Sequence, residues 1–375
     1  MYLRKMDNQN SMTKTLFIVI MSLFSYSSKS YELTKQPSRE GFNQTEKIET
    51  EKNEKEIETS DPIHPLLTLP LIPASFLVPG SAHYFQGDKQ TSEALFKYGS
   101  RSFLVFLSSG LVLALSGAAD QTVIPFIPLA MGGAASWLAV STVDLIGANL
   151  DKSKSPLYPG PWTPMGTAGI QYTKVKSPIF SNSDYRGAYV GYLQNGHIFK
   201  FKSLFAHSTD IEIFEIEYAR QIISRVQDNQ GLYAHIQVTR EENSEGFFRM
   251  TTFEPSLGLM SDAGILSPGL ERIYLEAQFG LQKHALQYLE GTGDNIETDS
   301  SMMGKFEVSW SAASWLLPGL GYSHERDHII ASQSTGFTGV FYGSTELKFL
   351  DSGFLKTTYF FSQEPTWELK LSTAF

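Results

Sequence analysis

The sequence predicts a mainly β protein, an antiparallel transmembrane β-barrel of about twelve strands that is preceded by an apolar helical hairpin. Three observations support this prediction: an alternating, aromatic C-terminal stretch, a series of strand-like segments separated by turn signals, and two long uncharged segments in the N-terminal half. Ten strands is the alternative count. Composition agrees, since 42% of the 375 residues are hydrophobic and 13% are aromatic. This balance is expected where alternate residues face lipid and aromatic side chains lie at the membrane interfaces.

The C-terminal nine residues alternate strictly between two faces. Trp367, Leu369, Leu371 and Phe375 fall on one side of an extended strand, and the charged residues between them fall on the other. A period of two with aromatic residues at both ends indicates one face in lipid and one in a polar lumen. The stretch resembles the C-terminal strand of bacterial outer-membrane β-barrels. The resemblance implies that outer-membrane lipids and the barrel assembly machinery are partners. A soluble amphipathic edge strand is the alternative interpretation.

Residues 1–30 have the organisation of a secretory signal peptide. A basic segment precedes an apolar run over residues 16–24, and small residues favour cleavage after Ser30. The apolar run is too short to serve as a permanent membrane span. Translation could begin at Met1 or at Met12. The sequence contains no cysteine, which excludes a lipoprotein signal and means that the exported chain needs no disulfide.

A charged segment over residues 31–62 follows the signal. Glutamate and lysine dominate residues 46–58. Because this segment has so little apolar surface to bury, we expect a disordered tether with no binding role. The whole chain carries a formal net charge of −9, which argues against nucleic acid as a partner.

Residues 63–150 form an apolar region with two uncharged stretches, 102–119 and 121–143. Each is close to the roughly 20 residues that a helix needs to cross a hydrocarbon core. Both are rich in glycine, alanine and serine, which let helices pack closely, and Pro125 and Pro128 interrupt the second stretch. We expect two or three helices that pack on each other and against the barrel, at its periplasmic mouth or partly inside it. The competing hypothesis is an inner-membrane hairpin that holds a periplasmic β-domain.

The same region contains a Pro-Gly motif. It resembles an uncharacterised bacterial membrane-hairpin family with the pattern Pro-Gly-x-Gly-Gln-x-Tyr-x-Gly, two hydrophobic helices, and then Asp-Ala-x-x-x-Ala. Pro79, Gly80, Gly87 and Asp144 match this pattern. Phe85 stands in place of the tyrosine, and three other positions also depart from it. The resemblance implies a helical architecture and no chemistry.

The β-barrel is predicted over residues 151–375. Short turn signals, such as Asn195-Gly196 and Asp351-Ser-Gly353, separate alternating segments. The predicted strands span residues 163–177, 186–194, 197–207, 210–226, 232–240, 247–259, 270–289, 304–315, 320–331, 336–349, 354–361 and 367–375.

Few residue patterns suggest catalysis or metal binding. His207 and Ser208 are adjacent, which makes them candidates for a hydrolytic Ser–His pair, but the His-x-Ser-Asn-Gly pattern of barrel phospholipases is absent. His324 and His328 could chelate a metal on a helix, whereas on a strand they lie about 13 Å apart. Residues 291–301 offer oxygen ligands for calcium, yet their spacing matches no calcium loop. We therefore expect no catalytic residue, metal or cofactor.

The function predicted from the sequence is a narrow pore or a structural barrel of the cell envelope, without catalysis. One alternative is a barrel enzyme that acts on lipids or peptides at the outer membrane. A second alternative is an interaction module, in which residues 63–150 recruit an envelope protein and the barrel serves as its anchor.

Overall fold

The structure is a computed structural model. It describes residues 65–117, 120–150, 158, 165–177, 181–206, 210–224, 230–243, 248–288, 296–324, 339–361 and 366–375. The predicted signal peptide and charged tether lie outside these residues.

Four helices form the N-terminal part. They are α1 (Pro65–Leu77), α2 (Ser81–Gln86), α3 (Lys89–Leu115) and α4 (Asp120–Asn149). This confirms the apolar helical region, and α3 and most of α4 are each long and apolar enough to cross a membrane. The helix α4 continues through Pro125 and Pro128.

Twelve antiparallel strands form a closed barrel in which each strand pairs with its neighbours in sequence and β12 pairs with β1. The predicted fold and the count of twelve are confirmed. The strands are β1 (Met165–Ser177), β2 (Ser181–Gln194), β3 (His197–Ala206), β4 (Ile211–Ser224), β5 (Gly231–Asn243), β6 (Phe248–Asp262), β7 (Ile273–Tyr288), β8 (Ile296–Trp310), β9 (Leu316–His324), β10 (Val340–Lys348), β11 (Gly353–Phe360) and β12 (Thr366–Ala374).

Three strands begin four or more residues earlier than the sequence predicts. β2 begins at Ser181 instead of residue 186, β8 at Ile296 instead of residue 304, and β9 at Leu316 instead of residue 320. Residues 296–301, expected in an acidic loop, pair with β7 from Gln287↔Ile296 to Gln282↔Ser301. Backbone pairing continues here without apolar alternation, because strand pairing requires only backbone N–H and C=O groups.

The first and last strands close the barrel at a seam. Gly166 and Phe375 exchange two backbone hydrogen bonds, of 3.0 and 2.9 Å. The Phe375 ring covers Gly166 so closely that a Cβ atom there would lie 2.4 Å from the ring Cε2. The C-terminal aromatic residue is therefore part of the closure. We call the end of the barrel that holds Met165 and Phe375 the terminal end.

Successive side chains of each strand alternate between the inner and the outer face of the wall, as predicted. On β12, Glu368 and Lys370 line the lumen, while Trp367 and Leu371 face outward and remain 38% and 42% exposed. Large apolar side chains are exposed on the outward face of other strands too; they include Ile170, Val190, Phe199, Ile216, Ile236, Phe253, Leu320, Phe341 and Tyr359. A continuous apolar exterior around a polar interior is the arrangement that a closed barrel needs in lipid.

Arginine at an outward position should be far more harmful than arginine at an inward one. We expect Leu369→Arg to destabilise the barrel by roughly 2–4 kcal/mol, because it places a charge in lipid. Lys370→Arg is the matched control, since it keeps an inward cation beside Glu368, whose carboxylate lies 2.7 Å from Lys370 Nζ. Denaturant unfolding in lipid vesicles measures the free energy of unfolding of both variants. If the two substitutions lower it equally, positions 369 and 370 do not lie on opposite faces of the wall.

The helices pack on the outer wall of the barrel over β7 and β8. Ile273 and Val308 face outward, yet they are only 0% and 1% exposed, whereas Leu281 on the same face of β7 is 57% exposed. Side chains of α3 and α4 cover them in one apolar cluster, among them Leu95, Val140 and Val143. The prediction of helices packed against the barrel is thus confirmed. The contacts begin at one mouth of the barrel, at the β6–β7 connection, and they lie on the outer wall and not inside the lumen.

Further along the wall, Met131 of α4 lies beside Gly304 of β8. A Cβ atom added to Gly304 would lie 3.4 Å from the Met131 methyl group. The contacts of α4 therefore follow the outside of β8 instead of entering the lumen. The physical reason is complementarity: the helices are apolar, and the outer wall is apolar whereas the lumen is charged.

Candidate functional site

The lumen contains a cavity of about 500 Å³ lined largely by polar side chains. Seven glutamates and five lysines lie on its wall within the described part of the chain. The glutamates are Glu215, Glu217, Glu254, Glu276, Glu307, Glu346 and Glu368, and the lysines are Lys200, Lys202, Lys305, Lys356 and Lys370. Inward positions of the strands supply all of these side chains, because alternate residues of each strand face the lumen.

The charges are unevenly distributed around the wall. Four of the five lysines lie on the arc that runs from β11 through β12 and β1 to β3, and six of the seven glutamates lie on the arc from β4 to β10. The exceptions are Lys305 on β8 and Glu368 on β12. Opposed arcs of charge produce an electric field across the lumen, which orients dipolar solutes and concentrates ions.

One ionic network lies where the two arcs meet, between β3 and β5. Lys200 Nζ lies 3.0 Å from Glu217 Oε2, and His235 Nδ1 lies 3.4 Å from Glu217 Oε1. Lys202 forms a second ion pair with Glu215 one step along the same strands. Both pairs are directly opposed in the β3–β4 register, so the strand pairing fixes them.

A second network crosses β9. Tyr342 Oη donates to Glu307 Oε2 at 3.1 Å, and Ser344 Oγ donates to Glu307 Oε1 at 2.8 Å. Lys356 Nζ lies 3.7 Å from the same Oε1. These residues come from β8, β10 and β11, so the carboxylate of Glu307 reaches across an intervening strand.

Glycines on β9 make this reach possible. A Cβ atom at Gly319 would lie 2.8 Å from Glu307 Oε1, and one at Gly321 would lie 2.5 Å from Tyr342 Oη. The sequence-based prediction missed this network. The signal that could have revealed it is the Gly319-Leu320-Gly321 pattern, which leaves two successive inward positions without side chains.

The lumen narrows at the terminal end. Tyr158 is 3% exposed and lies in an apolar cluster of inward-facing residues. Its backbone N–H donates to Ser311 Oγ at 3.0 Å, and its hydroxyl donates to Glu346. Burial, and then the nearby carboxylate, raise the pKa of Tyr158, so the hydroxyl stays protonated. The cluster also contains Ile198, Ala219, Tyr233, Met260, Tyr274, Leu317 and Phe354. This apolar constriction was not predicted.

The Pro-Gly motif lies away from the lumen, where α2 meets α4. Asp144 and His83 are both completely buried. Asp144 Oδ2 accepts a hydrogen bond from Ala82 N at 3.1 Å, and Oδ1 accepts one from His83 N at 3.2 Å. Oδ1 also lies 2.8 Å from His83 Nδ1. The carboxylate thus satisfies N–H groups in the first turn of α2, where a negative charge is favourable.

The other motif residues shape the same junction. Gly80 has φ 94°, and a Cβ atom there would lie 2.3 Å from Ser92 O. Pro79 packs on Gly99, where a Cβ atom, if one were added, would lie 2.5 Å from the Pro79 Cγ atom. Gly87 ends α2 with φ 91°, which glycine adopts readily. Phe85 is 69% exposed and takes no part in this junction. The structure therefore gives four motif positions a structural role.

The residues considered for catalysis fall mostly outside the described part of the chain. This applies to His207, Ser208 and His328. Within the described residues, no group of three or more metal-ligating side chains occurs. Thr252 Oγ1 lies 2.9 Å from His284 Nδ1, but both side chains are buried on inward positions, away from lipid at the outer surface.

Comparison with known proteins gives structural similarity only. No known family model and no curated protein sequence matches the chain. The KdgM porin in complex with disordered oligogalacturonate is 8% identical, with 55% of this chain and 99% of that chain covered and a TM-score of 0.38. Omp33 of Acinetobacter baumannii is 7% identical, with 57% and 99% covered and a TM-score of 0.32. What the chain itself shows is a closed antiparallel barrel of twelve strands.

Outer membrane phospholipase A from Escherichia coli also matches. It is 9% identical, with 56% of this chain and 94% of that chain covered and a TM-score of 0.33. Porins and an enzyme are therefore similar to the barrel to the same low degree. Similarity at this level does not distinguish between transport and catalysis.

Proposed function

We propose that the barrel is a narrow, non-catalytic pore for small polar or ionic solutes in the outer membrane, with its terminal end facing the periplasm. The observation that supports it most is the charged inner wall inside a closed barrel with an apolar exterior. Twelve strands leave only a narrow interior once inward side chains are in place. β9 ends and β10 begins at the opposite end of the barrel, on either side of the longest connection in sequence, residues 325–339, as expected where long loops face outward.

The lining charges predict a weak preference for cations. Seven glutamates against five lysines give the residues that line the cavity an excess of two acidic side chains. The apolar cluster around Tyr158 narrows the terminal mouth, so we expect a small conductance. Dipolar solutes should align with the field between the lysine arc and the glutamate arc.

Removing a lumen charge should change ion selectivity in a direction set by its sign. A unit charge about 15 Å from an ion contributes roughly 1 kcal/mol at an effective dielectric constant of about 20, before screening by salt. Lys356→Gln should therefore raise the cation-to-anion permeability ratio by about two- to five-fold. Glu307→Gln is the oppositely signed control and should lower the ratio. Reversal potentials across planar bilayers in a salt gradient measure both.

The same recordings test the pore itself. Tyr158→Ala, which removes the central side chain of the constriction, should increase single-channel conductance without reversing selectivity. If the wild-type protein and Tyr158→Ala both insert as folded barrels and neither conducts, the pore hypothesis is wrong. Shifts in the same direction for Lys356→Gln and Glu307→Gln would show that ions do not pass these side chains.

A further inference from the structure

We propose that α3 and α4 form a hairpin that lies within the lipid bilayer of the outer membrane, beside the barrel, with one face against the wall and the other against lipid acyl chains. This inference rests on the outer-membrane location of the barrel and not on its being a pore. It gives residues 63–150 a partner of defined chemistry, the hydrocarbon of the membrane.

The inner face of the hairpin occupies a position where lipid would otherwise contact the barrel. Elsewhere on the barrel, outward apolar residues are exposed, but Ile273 and Val308 are buried by the helices. The base of α3 is also attached to the β6–β7 connection, because Thr91 Oγ1 lies 3.0 Å from Ser267 Oγ. Met131 lies beside Gly304, six residues before the end of β8. The helix therefore extends along the wall and is not confined to the mouth.

The outer face of the hairpin is apolar and exposed. Four leucines on α3 are 48–79% exposed, namely Leu104, Leu107, Leu111 and Leu115. A surface of this kind is unfavourable in water and normally indicates contact with a partner or a membrane. The exposed face adjoins the lipid-facing belt of the barrel, where Leu281 is 57% exposed. Continuity with that belt favours lipid over a protein partner.

Charge placement along the helices agrees with the thickness of the membrane. All charged residues of α3 lie in its first half, at Lys89, Glu93, Lys97 and Arg101, near the terminal end. The next fourteen residues, 102–115, are uncharged and span about 21 Å of helix. Residues 121–143 of α4 are also uncharged. The apolar band of an outer-membrane barrel is about 25 Å tall, which the uncharged part of the hairpin matches.

The two helices meet through a close backbone contact and through an aromatic pair, Phe103 and Trp137, whose ring centroids lie 5.4 Å apart. Gly133 of α4 faces the backbone of α3, where an added Cβ atom would lie 2.6 Å from Phe106 N and 2.9 Å from Ser102 O. Close backbone contact through small residues is how helices associate in lipid, where the hydrophobic effect cannot drive them together. The leucines that would form the core of a water-soluble hairpin instead face away from the partner helix.

Spin labelling tests the lipid contact directly. The sequence has no cysteine, so single substitutions Leu104→Cys and Leu111→Cys in the full chain can carry a nitroxide without background. In phosphatidylcholine vesicles, we expect collisions with oxygen to exceed collisions with a water-soluble nickel chelate several-fold at both positions. Leu320→Cys on the barrel wall is the lipid-facing control. Glu93→Cys, at the charged base of α3, is the water-facing control.

Two outcomes would overturn the inference. Nickel access at positions 104 and 111 equal to that at position 93 would place the hairpin in water. Low access to both reagents, with spin–spin broadening or crosslinking between copies, would mean that protein covers this face. Lipid contact at Leu320→Cys shows independently that the barrel has inserted. Conductance is measured separately, so failure of the pore hypothesis is distinguishable from failure of this one.

Discussion

Deleting Phe375 is expected to lower the amount of folded barrel in the outer membrane several-fold. Phe375 forms the last two backbone hydrogen bonds of the β1–β12 seam, with Gly166, and its ring covers that glycine. We propose that the barrel assembly machinery also recognises this C-terminal aromatic strand, with Trp367, Leu369 and Leu371 on the same face. Deleting Phe375 therefore weakens the closure of the barrel and also removes part of the recognition signal. Both losses lower the amount of folded barrel.

Heat-modifiable mobility on gels of outer-membrane fractions measures this loss. Phe341→Ala is a suitable control, because Phe341 is an outward aromatic residue of the wall, 54% exposed, and takes no part in the seam. Normal mobility and normal abundance of the Phe375-deleted protein would show that the terminal residue is neither a signal nor a necessary part of the closure. Recovery of the wild-type protein with inner-membrane markers would instead support the hairpin-anchored alternative.

Replacing Asp144 by alanine is expected to destabilise the helical region by about 3–5 kcal/mol, the usual cost of removing one partner from a buried ionic or hydrogen-bonded pair. The change leaves three groups without their acceptor: the backbone N–H groups of Ala82 and His83, and the His83 imidazole. Asp144 and His83 are both 0% exposed, so water does not replace the lost contacts without opening the junction.

Hydrogen exchange of the α2 amides measures the effect of Asp144→Ala. Asp144→Asn keeps one acceptor oxygen and should be much less harmful. Glu93→Ala, a change of charge on the exposed side of α3, should have almost no effect. Unchanged exchange at residues 81–86 in Asp144→Ala would contradict a structural role for this carboxylate, and would leave the Pro-Gly motif without an explanation in the structure.

The sequence by itself determined the elements that depend on local pattern. Twelve strands and their two faces followed from a period of two and from turn residues, because each strand must present one face to lipid and one to the lumen. The two long helices followed from uncharged stretches of sufficient length. The importance of Asp144 and Gly80 was visible through a motif, although the motif did not show that the carboxylate accepts hydrogen bonds from the first turn of α2.

Only the tertiary structure decided which distant residues meet. The contact between Glu307 and Lys356 crosses two intervening strands and depends on glycines at 319 and 321. Tyr158 is held at the terminal mouth by hydrogen bonds to Ser311 and Glu346, which are more than 150 residues away in sequence. The hairpin lies on the outer wall, because burial of Ile273 and Val308 favours that position over a charged lumen. Local patterns fix which face of each element is apolar. Which apolar faces pair depends on the register and closure of the whole barrel, and these exist only once all twelve strands are in place.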